Sequence, residues 1–258
     1  MTAQLHRRRV VTATGIGGAG LLAASLSARA GSRQFYLLTA GLAATWTGGA
    51  LAAGPVPWNG APGRGNSPCH VVVMPVLTGA GAFGLFYGAA RLTRPIPVLD
   101  RAVTSVLRYA EDGSAPLVLL TATATAVAEE LFFRGAVWSL AGRAHPLATT
   151  TLAYTATTAV TRNPALTIAG AATSVLFGLH RRASGGILAP ALAHLTWSLL
   201  MLTCLPRRSG RSRKNDLDGG NLAAEPPAGC RLRRPGKPSR TVHHQRNTLW
   251  LRNARLPR

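Results

Sequence analysis

Two adjacent carboxylates and a guanidinium stand inside an apolar run, Ala126-Val127-Ala128-Glu129-Glu130-Leu131-Phe132-Phe133-Arg134-Gly135. Near the centre of a membrane helix one ionisable residue costs about 2.5–3.5 kcal/mol on insertion scales, so two acids in succession need compensating partners. Glu130 and Arg134 are four residues apart, which puts them on one helical face within ion-pair reach. Glu129 points about 100° away and must face a polar cavity or groups on other helices. His180 and His194 are the clearest candidates to meet it, and Ser198, one turn after His194, shares that histidine's face. A carboxylate in a water-poor cavity suits a general base, and an imidazole beside it can hold the same water or bind a metal. The expected chemistry is hydrolysis: a water held between Glu129 and His180 attacks a carbonyl, and His194 with Ser198 donates hydrogen bonds to the developing oxyanion. The alternative is that acids and histidines satisfy one another inside a bundle, or line a proton or ion path. No H-E-x-x-H occurs, which excludes the common zinc-protease helix.

The elements that must position these groups read as lipid-embedded helices. Of 258 residues 47% are apolar and only 14% charged, with mean hydropathy +0.16, which is not the composition of an ordinary soluble enzyme. Charge-free windows run over 10–28, 34–63, 65–90, 144–161, 163–180 and 183–206, each near the roughly 17–25 residues a helix needs to cross a bilayer. A further window, 113–128, continues through Glu129, Glu130 and Arg134 to Gly142. The expected fold is all-α, a polytopic transmembrane bundle of about seven spans. Soluble helices alternate apolar and polar stripes at a period of about 3.6, and these windows do not. They are rich in Ala, Gly and Thr, and Ala80, Gly84 and Gly88 form a small-xxx-small series expected to let backbones approach closely.

Arg7, Arg8 and Arg9 precede the first apolar run, which ends at Ser27-Ala28-Arg29-Ala30. A retained first span is expected rather than a cleaved signal peptide, because the run is long for one and further apolar segments follow. Residues 98–108 pair apolar and polar positions every three to four residues and predict an amphipathic helix. With Arg91, Arg94, Arg101 and Arg108 beside it, this helix is assigned to the cytoplasmic headgroup plane. The positive-inside rule then wants Arg7–Arg9, the Arg91–Arg108 region and the C-terminal tail on one side, which three intervening early spans cannot satisfy. The Gly/Pro-rich stretch 54–68 is where a break or an extra crossing is expected.

Net charge is +21, but residues 205–258 hold 14 of the 29 Lys and Arg against three acids. This tail reads as disordered and as a candidate for adhesion to anionic lipid. Nucleic-acid binding is not expected, because no reading module accompanies the charge and Trp250 is the tail's one aromatic residue. Cys69, Cys204 and Cys230 are isolated and form neither a zinc element nor a disulfide framework.

At Glu129, Glu130, Arg134, His180 and His194 the sequence resembles the CPBP family of intramembrane proteases, which includes the type II CAAX prenyl endopeptidases and bacteriocin-processing or self-immunity proteins. That family carries Glu-Glu-x-x-x-Arg, then Phe-x-x-x-His, then His-x-x-x-Asn or Asp, on successive helices. The first motif is matched in full. In the second, Leu176 occupies the Phe position and Phe177 stands one residue too close to His180. In the third, Ser198 replaces the amide or acid. The resemblance covers about 116–204. It implies Glu129 as the water-activating base, Glu130 and Arg134 as an orienting pair, and a membrane-anchored peptide or protein as substrate. It leaves the cofactor open between none and a divalent metal such as zinc, with Glu129, His180 and His194 as candidate ligands. The resulting reading has N-terminal spans and an interfacial helix over 1–112, a protease core over 113–206 and a basic tail over 207–258. The chain is expected to be integral to the cell membrane, in contact with its lipid, with the tail cytoplasmic. Two rivals are a non-catalytic scaffold or transporter-like protein that keeps the polar cluster for packing or ion passage, and a surface adaptor working through its tail.

Overall fold

The computed structural model describes residues 2–59 and 69–204. Among these every regular element is helical: α1 (Thr2–Ser27), α2 (Arg33–Ala52), a π-helical turn (Cys69–Val73) leading into α3 (Met74–Leu92), α4 (Pro97–Glu111), and α5 (Ala115–Glu129). A π-helical stretch (Glu130–Val137) follows, then α6 (Trp138–Ala141), α7 (Pro146–Ala159), α8 (Pro164–Ser184) and α9 (Leu188–Cys204). The described residues fall within one compact unit, Met1–Asn215. The tail expected over 207–258 and most of the break expected over 54–68 lie outside the described residues.

Local chemistry sets the helix ends. The Ser32 hydroxyl accepts from Phe35 N at 3.1 Å to start α2, and the Asn163 side chain accepts from Leu166 N at 2.9 Å to start α8, satisfying donors that a helix leaves unpaired. Pro97, Pro146 and Pro164 open α4, α7 and α8, where a missing N–H costs nothing. Gly185, at φ 73°, closes α8 in the left-handed conformation that glycine adopts without penalty.

The helices run end to end in alternation. At one end Ile187 N and Leu188 N donate to Pro57 O and Trp58 O, which seats the start of α9 beside the chain leaving α2. At the other end the Tyr109 hydroxyl donates to Leu26 O and Ala28 O, Ser114 N donates to the Tyr36 hydroxyl, and Asn163 Nδ2 donates to Ala102 O. The ends of α1 and α4 and the starts of α2, α5 and α8 therefore meet there. Arg7–Arg9, at the start of α1, lie at the end opposite Arg91–Arg108. Three helices separate the two clusters, so the common side that the positive-inside rule wants for them is not met.

Among the described residues three helices are long and apolar enough to cross a membrane: Thr2–Ser27, Val71–Leu92 and Ala115–Ala141. Leu188–Cys204 is a shorter apolar helix. The window expected over 144–161 yields a 14-residue α7, about 21 Å at 1.5 Å per residue, because Pro146 starts it late and Arg162 ends it with φ at 56°. Residues 98–108 do form a helix, α4, which buries Ala102 and Leu107.

The core is aromatic. Trp46 of α2 stacks on Phe132 with centroids 4.5 Å apart and lies 5.2 Å from Phe133, which meets Tyr154 of α7 edge-on at 4.8 Å. Val11 of α1 joins the same cluster. Close backbone approach occurs at Gly79, where a Cβ would overlap the Ala193 carbonyl oxygen and the Thr196 side chain, so α3 and α9 touch there. It does not occur along the Ala80–Gly84–Gly88 series: Gly84 and Gly88 face open space among the described residues. The interface uses the neighbouring face of α3.

Candidate active site

Glu129 ends α5, and the eight residues Glu130–Val137 that follow are all buried. Phe132 and Phe133 hold this stretch in the core against Trp46 and Tyr154. Its π-helical winding, a form that recurs at functional sites, changes which faces its side chains reach. Glu130 and Arg134 are fully buried and paired, Arg134 Nη1 to Glu130 Oε1 at 3.0 Å. A buried pair persists only where its remaining lone pairs and protons find partners. Arg134 Nη2 donates to Ser174 O at 3.2 Å, and its guanidinium lies over the rings of Tyr154 and Phe177 at 5.2 and 5.6 Å.

His194 of α9 joins the two glutamates. Its Nδ1 is 2.8 Å from Glu130 Oε1, and its Nε2 is 3.9 Å from Glu129 Oε2. Glu129 Oε2 also accepts from the Tyr154 hydroxyl at 2.5 Å. The imidazole stacks on Phe177 at 4.9 Å, with Trp197 at 5.9 Å on the same helix. An ionised carboxylate only accepts hydrogen bonds, so the pairing with Glu130 calls for a proton on His194 Nδ1 and turns Nε2 toward Glu129. The 3.9 Å gap is too wide for a direct hydrogen bond. Atoms at this separation are ones a single water can bridge.

Residues 111–200 match the family described as type II CAAX prenyl endopeptidase Rce1-like. This segment, about a third of the chain, is similar to the CAAX protease family. No curated protein and no solved structure matches the chain. The Rce1-like segment contains every group of the site just described, from Glu129 in α5 to His194 in α9.

The Rce1-like segment does not gather every residue expected to act. His180 is half-buried near the end of α8, and among the described residues no hydrogen bond, ion pair or ring contact joins it to Glu129, Glu130 or His194. Ser198 is half-buried on α9 and likewise makes no hydrogen bond. Phe177, not Leu176, is the aromatic residue under His194, and the position four residues after Phe177 is Arg181. Arg181 is 7% exposed, donates from Nε to Arg134 O at 2.9 Å and lies over the Trp138 ring at 5.6 Å. Phe177 and Arg181, four residues apart on α8, thus both face the buried cluster, while His180 does not reach it.

A divalent metal does not fit this donor set. Catalytic zinc sites take three protein ligands, and here only Glu129 Oε2 and His194 Nε2 face one another while His180 stands apart. Among the described residues no group of three or more His, Cys, Asp or Glu side chains is arranged to hold one. Glu130 Oε2, Arg134 Nε and Ser174 Oγ are buried without a protein partner, so the site keeps hydrogen-bonding capacity that water can use.

Tyr154, Phe177 and Arg181 were not legible as site residues. Tyr154 had one available signal: it is the single Phe, Tyr or Trp between 144 and 161, and a buried phenol needs a hydrogen-bond partner.

Proposed function

We propose that this protein is an intramembrane endopeptidase that hydrolyses a peptide bond of a membrane-anchored substrate with a water activated by Glu129 and His194. The observation that carries the reading is His194 tied through Nδ1 to Glu130 while its Nε2 faces Glu129 Oε2 at 3.9 Å. The water between them attacks the scissile carbonyl and its proton passes to Glu129, which returns it to the leaving amine. The Tyr154 hydroxyl holds Glu129 in orientation, and the Glu130–Arg134 pair holds the His194 tautomer. His180 and Ser198 carry no step in this reading.

The core of the reaction is 113–206, with 1–112 supplying packing partners and α4 in the headgroup plane. Seven crossings, α1–α3, α5 continued through α6, and α7–α9, put the N-terminus and the tail on opposite sides, with the tail on the cytoplasmic side of the cell membrane. More of the basic residues between the helices, Arg29, Arg33, Arg91, Arg94, Arg101, Arg108 and Arg162, lie at the tail's end, which supports that orientation. The test is purified protein in liposomes with a library of membrane-anchored peptides. Products are expected from the native chain and not from Glu129→Gln, and equal cleavage by that variant would end the proposal.

A second reading, a non-catalytic membrane scaffold or transporter-like protein, is favoured by one observation: among the described residues neither His180 nor Ser198 joins the Glu129–Glu130–His194 cluster. It predicts that Glu129→Gln alters folding, assembly or ion flux while no peptide product forms from either chain.

A further inference from the structure

Two cavities meet on adjacent flanks of α4. One, about 170 Å³, lies between α3, α4, α8 and α9; Phe86, Leu99, Val103, Leu166, Ile168 and Trp197 are among its walls, which are apolar except for Thr93. The other, about 370 Å³, lies between the end of α1, α4 and the turn into α8, and presents Arg29, Arg108, Asp112 and Tyr109. Val106 lines both. The floor of the polar cavity is internally satisfied: the Tyr109 hydroxyl donates to Leu26 O and Ala28 O, and Asn163 Nδ2 donates to Ala102 O and Ser105 Oγ. Burial pushes the Tyr109 phenol up, so it stays a neutral donor. Arg29 and Arg108 are exposed, and among the described residues neither guanidinium has a hydrogen bond or an ion pair. The cavity sits where the apolar α1 ends and the amphipathic α4 runs, the level at which such helices leave hydrocarbon.

We infer that the joined cavities bind one phospholipid, its headgroup phosphate between Arg29 and Arg108 and one acyl chain in the apolar groove along Trp197. Guanidinium groups match phosphate oxygens in geometry and charge, whereas an apolar groove offers nothing to a free anion. Asp112 in the same cavity sets the headgroup class. Two cations and one anion complement a phosphate joined to an ammonium, as in an ethanolamine phospholipid, better than a headgroup of net negative charge. The chain in the groove would reach Trp197, whose ring is 5.9 Å from His194, so a bound lipid forms part of the wall behind the candidate active site. This assignment concerns binding alone and stands or falls independently of the endopeptidase reading.

The test uses the full chain in detergent and a phosphatidylethanolamine carrying bromine on its acyl chains, which quenches indole fluorescence on contact. Saturable quenching is expected, displaced by unbrominated phosphatidylethanolamine but not by inorganic phosphate, and its saturable component should disappear in Trp197→Phe. The double change Arg29→Gln with Arg108→Gln should weaken the apparent affinity roughly thirtyfold, whereas Arg91→Gln with Arg94→Gln should not. Ala169→Phe, which fills the groove and leaves both arginines, should abolish quenching and keeps the test decisive if the double arginine variant fails to fold. Unchanged affinity in Ala169→Phe or in a folded double arginine variant, displacement by inorganic phosphate, or tighter binding of brominated phosphatidylglycerol would overturn the assignment.

Discussion

In the proposed reaction Glu129 and Glu130, neighbours in sequence, have different duties. Glu130, fully buried between Arg134 Nη1 and His194 Nδ1, is structural. Replacing it with alanine leaves a guanidinium buried without its carboxylate, and a loss of about 3–5 kcal/mol is expected, read as a large drop in melting temperature in detergent. Glu129 has its one close partner in Tyr154 and the open gap to His194. Glu129→Gln should therefore melt close to the native protein yet lose cleavage by a factor of roughly 10²–10⁴, the usual contribution of a general base. Tyr154→Phe removes one hydrogen bond to a charged group and should cost about 1.5–3 kcal/mol in kcat/KM with little loss of fold. The pairing of Glu130 with Arg134 could be read from their spacing alone, because four residues on a helix bring two side chains together. The partner of Glu129 could not, because Tyr154 lies 25 residues away on another helix and carries no charge to mark it.

At the scale of elements, the site depends on how closely α9 approaches α3 and on the winding between α5 and α6. Gly79 lies against the Ala193 carbonyl, one residue from His194, and no side chain fits between them. Gly79→Val should push α9 outward, widen the 3.9 Å gap and abolish cleavage without touching the Glu129–His194–Tyr154 cluster, with a stability loss of about 1–3 kcal/mol from overpacking. Circular dichroism with a product assay separates this from unfolding. Apolar windows were enough to locate helices, since hydrocarbon-length runs without charge leave few alternatives. They did not reveal the π-helical stretch Glu130–Val137, because nothing in its residue types distinguishes that winding from an α-helix. The same limit applies to Leu176 and Phe177, which differ by about 100° around α8: only the stack on His194 shows that Phe177 points inward.

For the whole molecule, three helices separate Arg7–Arg9 from Arg91–Arg108, and four more traverses bring the chain to Cys204 at the second cluster's end. Reporter fusions at the two termini should report opposite sides of the membrane, and a shared side would remove one traverse from the account. Deleting 2–30 takes away Val11 and the helix over Trp46, so the truncated chain should melt well below the native one. Deleting 207–258 should leave cleavage intact, because every group assigned a step lies between Glu129 and His194. The measurement that bears most directly on the central claim is mass spectrometry of products from a membrane-anchored peptide library incubated with the reconstituted protein. Defined cleavage products from the native chain, absent from both Glu129→Gln and His194→Ala at matched folding, are the predicted result. The same products from Glu129→Gln, or none from a folded native chain across the library, would contradict it.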